Sequence, residues 1–510
     1  MILVYPPVAK PSEAPAGLAR LAGALNLHGV EHHIIDANLE GMLHILKRAP
    51  VMPERPYDTW TSRAIRNRSR NLTSLKNPAL YLNADRYKRA VLDLNRVIEV
   101  SAKKDELSLS IVNFRHARLS PLMSSDLIKA AEEPESNPFY LYFSERLQSL
   151  IELTRPAVVG FSLNYLSQAL CTFAMAGFLR RDFPGLKVVL GGGLVTSWMN
   201  RPQWKNPFGG LVDLLVAGPG EHHLLSIAGV QHESGKVHFT PHYDLCGDGY
   251  IAPGFILPYS ASMGCYWNRC SFCPERAEDN PYIPIPVDRV LGDLACLIES
   301  RRPLLIHFLD NALSPSILKG LALNPHGIPW YGFARIGKDL TDIDFCRALK
   351  RSGCVMLKLG LESGDQDVLD RLEKGIDLTT ASRALSTLKK AGIATYVYLL
   401  FGTPSETLVS ARKTLGFIVR HRQEIGFLNL AMFNMPAHGP EAGGTRTRSF
   451  YEGDLFLYTD FVHPHGWNRK KVRHFLANEF RTEKSVASIL QKDPPFFTSN
   501  HAPFFAMRQE

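Results

Sequence analysis

The sequence predicts an α/β protein built from two parallel-sheet domains, a doubly wound domain first and a six-stranded partial barrel of TIM type second, with a small C-terminal cap. Three observations predict it. Short apolar or β-branched runs alternate with helical patterns from residue 1 to about 50, and the same rhythm resumes at 157. The stretch between, 51–150, is polar, basic and mostly helical, so it reads as an insertion into the first domain. Beyond 250, six strand-like runs alternate with amphipathic helices, two strands short of a closed barrel. The domains expected are therefore 1–240 with its insertion, 250–435, and a cap over 436–510.

In order, ILVYPP reads as a first buried strand that stops at Pro6 and Pro7. GLARLAGALNLHG carries Leu18, Leu21, Ala22 and Leu25 at helical spacing, and HHIIDAN is the second strand. Within the insertion, residues 84–104 form the clearest helix. AVVGFSL is the next strand, residues 168–184 a helix, KVVLGGG a strand, and residues 212–229 a strand followed by a helix. The barrel strands expected are 258–263, 304–309, 329–334, 355–361, 395–401 and 427–433. Parallel strands joined this way need right-handed crossovers, and their chemistry sits at the carboxyl ends. The tail is rich in Pro, Gly, His and aromatic residues, with no solenoid repeat.

Composition is ordinary for a globular chain, with 45% hydrophobic and 21% charged residues. No uninterrupted apolar run is long enough to cross a bilayer, and MILVYPPVAK lacks a basic region and a cleavage site. A cytoplasmic, reducing compartment is expected, where clustered cysteines serve metals or catalysis rather than disulfides. The net charge of +9 lies largely along 62–119 and reads as a solvated helical face, without the aromatic-interleaved pattern of an RNA module.

The chemistry centres on residues 258–276, PYSASMGCYWNRCSFCPER. Cys265, Cys270 and Cys273, three of eight cysteines, fall within nine residues directly after the first barrel strand. Three thiolates from one loop can bind three irons of a [4Fe–4S] cluster and leave the fourth iron open. A structural zinc wants four ligands, usually as two paired knuckles, and no second C-x2-C exists. Cys246, His242 or a distant residue could complete a zinc site, while Cys171, Cys296, Cys346 and Cys354 sit in helical or strand patterns and read as small core residues.

This loop, with Phe272 before its last cysteine, resembles the cluster loop of the radical S-adenosylmethionine (radical SAM) superfamily. That family uses a partial (β/α)6 barrel, in agreement with the six strands counted above. Its usual spacing is C-x3-C-x2-C, and the extra residue here reads as a reshaped loop. The resemblance implies further positions at strand ends. Asp310 and Asn311, in LDN, lie where the family contacts the SAM amino group. Glu362, in GLESG, resembles its polar SAM contact, and Gly402, in LLFGTPSET, belongs to the turn that packs near adenine. Arg335, closing the third strand, is a bidentate partner for the SAM carboxylate or a surface salt bridge.

The first domain resembles the Rossmann-type cobalamin-binding domain often fused ahead of such a barrel, through YPPV (5–8), GLARLAGAL (17–25), IIDAN (34–38), GFSLN (160–164), LGGG (190–193) and AGPGE (217–221). Ser162, Gly191, Gly192, Gly193, Gly218 and Glu221 lie at its strand ends, where open α/β sheets bind ligands. The sequence lacks the D-x-H-x-x-G motif that gives cobalt a histidine, as many fused members do. The resemblance implies a [4Fe–4S] cluster, SAM and cobalamin as cofactors, cleavage of SAM to a 5′-deoxyadenosyl radical, and methyl transfer to an unactivated carbon. It also implies an electron donor such as flavodoxin or ferredoxin, and a small-molecule substrate. A radical cyclisation or rearrangement without methyl transfer, and a non-catalytic metal- or corrinoid-binding protein, stay open as alternatives.

Overall fold

The computed structural model describes residues 1–48, 57–102, 106–231, 238–247, 249–448, 453–495 and 501–507. The chain divides into two units. The first is Met1–Phe255 with Glu452–Phe456 and Pro495–Phe497, and the second is Ile256–Tyr451, Leu457–Pro494 and Thr498–Glu510.

The first unit opens with β1 (Ile2–Val4), α1 (Ala16–Leu27), β2 (His33–Ile35) and α2 (Ala37–Lys47). Then come α3 (Thr59–Leu75), α4 (Ala84–Ser101), the hairpin β3 (Leu107–Leu109) and β4 (Phe114–His116), α5 (Ser124–Glu132) and α6 (Tyr140–Thr154). The end of the helix expected over 84–104 lies outside the described residues. The unit continues through β5 (Val158–Ser162), α7 (Leu166–Asp182), β6 (Lys187–Gly191), α8 (Gly193–Met199), β7 (Leu214–Leu215) and α9 (Glu221–Ile227). Its parallel sheet has the order β2-β1-β5-β6-β7, so β1 pairs with β5 in the register Ile2↔Val159. The strand order reverses between β1 and β5, the place where open sheets of this kind bind ligands. Leu3 of β1 packs with Leu18 and Leu25 of α1 and Leu224 and Leu225 of α9. The helical spacing of α1 thus becomes one wall of the core. At α2, the buried Asp36 caps the helix through the Leu39 N–H and accepts a hydrogen bond from the Tyr250 hydroxyl.

The second unit starts with β8 (Ile256–Tyr259), β9 (Ser262–Met263), α10 (Pro274–Ala277), β10 (Ile283–Pro284), α11 (Val287–Arg301) and β11 (Leu305–Phe308). There follow α12 (Pro315–Leu323), β12 (Trp330–Ala334), α13 (Ile343–Arg351), β13 (Cys354–Glu362), α14 (Gln366–Arg371) and α15 (Leu378–Lys390). β14 (Ala394–Phe401), α16 (Leu408–Arg420) and β15 (Phe427–Met432) complete the series. The sheet order is β15-β14-β13-β12-β11-β8, with every neighbouring pair parallel. This is the open six-stranded barrel that the sequence predicts. Side chains alternate along its strands. Ile306, Leu357, Leu359 and Val397 are fully buried on one face, and α13 and α15 pack on β13 and β14. Ser314, Asp342, Asp377 and Thr407 cap α12, α13, α15 and α16, at about 1 kcal/mol each.

One strand differs from expectation. The first barrel strand is β8 at Ile256–Tyr259, not 258–263. Beyond it the buried Asp310 carboxylate takes the Ala261 N–H and the Ser262 hydroxyl, and β9 pairs antiparallel with β10 instead of continuing beside β11. The sequence after β15 forms a small antiparallel sheet of β16 (Met435–Pro436), β17 (Thr447–Arg448) and β18 (Tyr458–Phe461), with α17 (Pro440–Gly443) between the first two. It then forms α18 (Arg469–Phe475), α19 (Lys484–Leu490) and α20 (Pro503–Ala506). No helix among the described residues is long and apolar enough to cross a membrane.

Candidate functional site

The cysteine loop leaves β9 at the carboxyl edge of the barrel and is tied down along its length. Its root is the Asp310 clamp just described, and the Asn311 side-chain amide donates to the Gly264 carbonyl at 3.3 Å. In the middle, the Trp267 indole N–H donates to the Glu373 carbonyl at 3.1 Å. One face of that indole carries the Arg335 guanidinium, 3.9 Å from the ring centroid. Gly375 lies close against the ring: a Cβ built there would stand 2.2 Å from Trp267 Cζ2, and its φ of +64° also favours glycine. The Ser271 N–H donates to the Leu372 carbonyl at 3.1 Å, and Arg276 pairs with Glu373. Four consecutive residues, 372–375, therefore hold the loop.

The same turn supplies charge. Lys374 Nζ lies 2.8 Å from Glu362 Oε1, with both side chains about one-tenth exposed, and it lies 5.5 Å from the centroid of Phe272. Glu362 ends β13 at a bulge with φ +67°. Gly360 makes room for this pair, because a Cβ there would meet Glu362 Oε1 at 2.5 Å and Lys374 Nζ at 2.9 Å. Phe272 packs against Phe433, Met435 and Phe461.

All three loop cysteines are free thiols; Cys270 is buried, and Cys265 and Cys273 are partly so. Burial pushes the Cys270 thiol up, while the Lys374 and Arg335 cations pull it down. Burial pushes Cys273 up to about 11, against the N–H groups of Glu275 and Arg276. A metal takes thiolates, and the two cations favour the anionic form. Among the described residues no three His, Cys, Asp or Glu side chains gather to hold a single ion. A cubane asks for something else, because each thiolate binds its own iron. Three thiols on one clamped loop, beside two cations and an aromatic wall, fit that group.

The structure thus brings Cys270, Phe272, Arg335 and Glu362 together and adds Lys374, which sequence reasoning did not single out. Lys374 sits twelve residues beyond Glu362 in an exposed-looking RLEKG, so no periodic pattern marks it. Asp310 and Asn311 both bond to the loop's root. The Arg335 guanidinium donates to the Lys374 carbonyl at 2.6 Å as well as lying on Trp267. Gly402 follows β14 at φ +82° and donates its N–H to the buried Glu406 carboxylate, which also accepts from the Trp467 indole at 2.8 Å. Burial raises the Glu406 pKa to about 7, against those two donors.

In the first unit, Ser162, Gly191 and Gly192 line a largely apolar cavity of about 50 Å³ with Leu3, Leu18 and Val216, at the carboxyl ends of β5 and β6. Gly192 has φ +106°, and Gly193 opens α8, its N–H bound to Asn164 Oδ1 at 2.9 Å. The Gly218 N–H donates to the Thr196 hydroxyl at 2.9 Å. The buried Glu221 carboxylate pairs with Arg20 of α1 at 2.7 Å, so its side chain ties α9 to α1.

Residues 259–418 match the model of the radical SAM superfamily. An uncharacterized methyltransferase of Pyrococcus horikoshii is 26% identical over 398 residues, covering 69% of this chain and 80% of the relative. The bacteriochlorophyllide d C-12(1)-methyltransferase of Chlorobaculum tepidum is 27% identical over 186 residues, 34% of this chain and 40% of that one. The radical SAM methyltransferase TsrM from Kitasatospora setae, solved with tryptophan and a SAM analogue, superposes with TM-score 0.56 at 15% identity, covering 97% of this chain and 89% of that one. The cobalamin-dependent radical enzyme OxsB, solved with aqua-cobalamin and SAM, superposes with TM-score 0.53 at 14% identity, over 74% and 70%. Its six-stranded barrel, its clamped cysteine loop and the family match coincide on one segment, and the chain is accordingly an enzyme with a radical SAM domain at residues 259–418.

Proposed function

We propose that this chain is a cobalamin-dependent radical SAM methyltransferase acting on an unactivated carbon of a small molecule, with a flavodoxin or ferredoxin as electron donor. One observation carries the reading: a three-cysteine loop at the carboxyl edge of an open six-stranded barrel, fixed by residues 372–375 and flanked by Lys374 and Arg335. The loop is the site of a [4Fe–4S] cluster held by Cys265, Cys270 and Cys273. When bound, the cluster and SAM supply one-electron cleavage and hydrogen abstraction, and a corrinoid supplies the methyl group. The chain's own residues bind, orient and exclude water. Trp267 and Phe272 shield the cysteines. Lys374 and Arg335 compensate the thiolates' negative charge. Glu362 and the Gly402 turn are the SAM contacts, and Asp310 and Asn311 position the loop from beneath. For the corrinoid, Ser162, Gly191, Gly192, Gly193 and Gly218 border an apolar recess at the reversal of strand order, with Glu221 holding α9 in place. The superposition on OxsB and TsrM, both solved with cobalamin, supports that assignment.

The test is anaerobic reconstitution, incubation with SAM, hydroxocobalamin as methyl acceptor and a strong reductant, and mass spectrometry for 5′-deoxyadenosine and S-adenosylhomocysteine. Both are expected from the wild type and neither from the variant C265S/C270S/C273S, whose iron and sulfide content is also lost. Unchanged iron in that variant would sink the cluster assignment.

A further inference from the structure

The cysteine loop has a second fastening, and it comes from the C-terminal cap. Ser271, directly after Cys270, is buried. Its N–H is taken by the Leu372 carbonyl, while its hydroxyl donates to the carboxylate of Glu441 on α17, 170 residues later in the chain. A hydroxyl on a carboxylate makes a charge-assisted bond, about twice as strong as a neutral one. Phe272, the next residue, packs with Phe433, Met435 and Phe461, and Ala442 of α17 packs on the same three side chains. Beyond the last cysteine, Ala277 of α10 comes up against Gly439, where a built Cβ would stand 3.2 Å from the Ala277 Cβ. The Tyr458 phenol of β18 lies within electrostatic reach of Glu278 and Cys273.

The local sequence of the cap explains how Glu441 reaches the loop. Pro436 of β16 pairs with Tyr458, and the Gly439 N–H returns to the Pro436 carbonyl at 3.2 Å, which closes a turn. Pro440 then opens α17 with its φ already set for a helix, and Glu441 follows it. Residues 436–442 thus lie along residues 271–277. The turn at 372–375 holds the backbone of Ser271, the Trp267 indole and Arg276, whereas the cap holds the Ser271 hydroxyl, the Phe272 ring and the helix after Cys273. A cysteine keeps its iron only while the backbone beneath it stays in place, and Cys270 and Ser271 share a peptide bond. Taking away the carboxylate leaves a buried hydroxyl without its acceptor.

We propose that Glu441 is a positioning residue for the iron–sulfur cluster, acting through Ser271 on Cys270, and that residues 436–442 of the cap are the clasp that retains the cluster. The inference rests on the cluster reading of Cys265, Cys270 and Cys273. It extends that reading by assigning part of the cap, which carries no motif in the sequence, to the same site.

The test is the rate at which a chelator strips iron from the anaerobically reconstituted full chain, which needs no turnover. Glu441→Ala and Ser271→Ala should each release iron about ten-fold faster than the wild type, the loss of one hydrogen bond to a charged group. The double variant should be no faster than either single one, because the two residues share one interaction. Glu441→Gln keeps an acceptor for the hydroxyl and should restore a rate near that of the wild type, which a general loss of stability would not explain. Gly439→Ala, which crowds Ala277, should also speed release and reads the clasp by a contact independent of the carboxylate. Its control is Gly443→Ala in the same segment, where a Cβ meets nothing within 4 Å and the wild-type rate is expected. A wild-type rate in Glu441→Ala, additive effects in the double variant, or equal rates in the two glycine variants would overturn the inference. A wild type that takes up no iron counts against the cluster reading itself, whereas a wild type that holds iron no better than Glu441→Ala counts against the clasp alone.

Discussion

Glu362 and Lys374 form an ion pair of 2.8 Å at the carboxyl edge of the barrel, joining the end of β13 to the turn that holds the cysteine loop. Both side chains are about nine-tenths shielded from water. A pair in that position matters chiefly through what happens when one partner goes, because the other is left buried and charged. K374M should therefore destabilise the protein by about 3 kcal/mol. Its melting temperature and its iron per chain after reconstitution should both fall, and K374R should recover most of each. Wild-type values in K374M would show that the pair does not hold the loop.

The contact of Trp267 with Gly375 makes a sharper prediction. G375A places a Cβ against the indole and strains a left-handed residue, at a cost of about 2 kcal/mol or more. Iron should be stripped by a chelator several-fold faster than from the wild type. G327A is the control, since Gly327 has φ +76° and nothing within 4 Å of a built Cβ. Equal chelation rates in the two variants would mean that the indole contact is irrelevant to cluster retention.

Glu406 predicts a pH dependence. Its pKa stands at about 7 in the folded chain against 4.5 for an exposed glutamate, through burial. Between those values the unfolded chain has released the proton and the folded chain has kept it, so stability falls as pH rises from about 4.5 to 7. The full contribution is roughly 3 kcal/mol. E406Q removes the titration and keeps an oxygen for the Gly402 and Trp467 donors. Melting temperatures measured from pH 5 to 7.5 should decline less steeply in E406Q than in the wild type. Parallel profiles would assign the group an ordinary pKa.

The recess of the first unit makes the fourth prediction. Gly191 has room for a Cβ, which would lie 3.6 Å from the Val216 carbonyl, so G191V should fold while its methyls fill the cavity. Corrinoid retained after gel filtration should drop at least ten-fold with iron content unchanged. Undiminished corrinoid would place that ligand elsewhere.

The strands of the barrel are legible in the sequence because a parallel sheet buries both faces of its strands, so they stand out from 304 to 433 as short apolar or β-branched runs between helical patterns. β8 is legible only in part, because its end is set by Asp310, some fifty residues away. The cysteine loop is legible by residue type and spacing. Its fixings are not: Lys374, Gly375 and the carbonyls of 372 and 373 come from a turn whose sequence reads as ordinary surface. Arg335 illustrates the limit. A guanidinium closing a strand is identifiable as a ligand for something anionic, yet here it also lies on Trp267 and donates to a backbone carbonyl, partners that carry no sequence signature.

The first unit contains a late piece of chain. Asp454 accepts the Ser124 N–H at the start of α5, Leu455 donates its N–H to the Leu122 carbonyl, and the Phe456 ring receives the Arg201 guanidinium at 4.9 Å. On a ribosome these groups emerge roughly 200 residues after Phe255, about 10–40 s later at ordinary elongation rates. During that interval the amino end of α5 waits, exposed, for its partner. The nascent first unit is in this sense a client of its own unfinished chain, and a truncation product ending at 255 would be released without the segment that closes it.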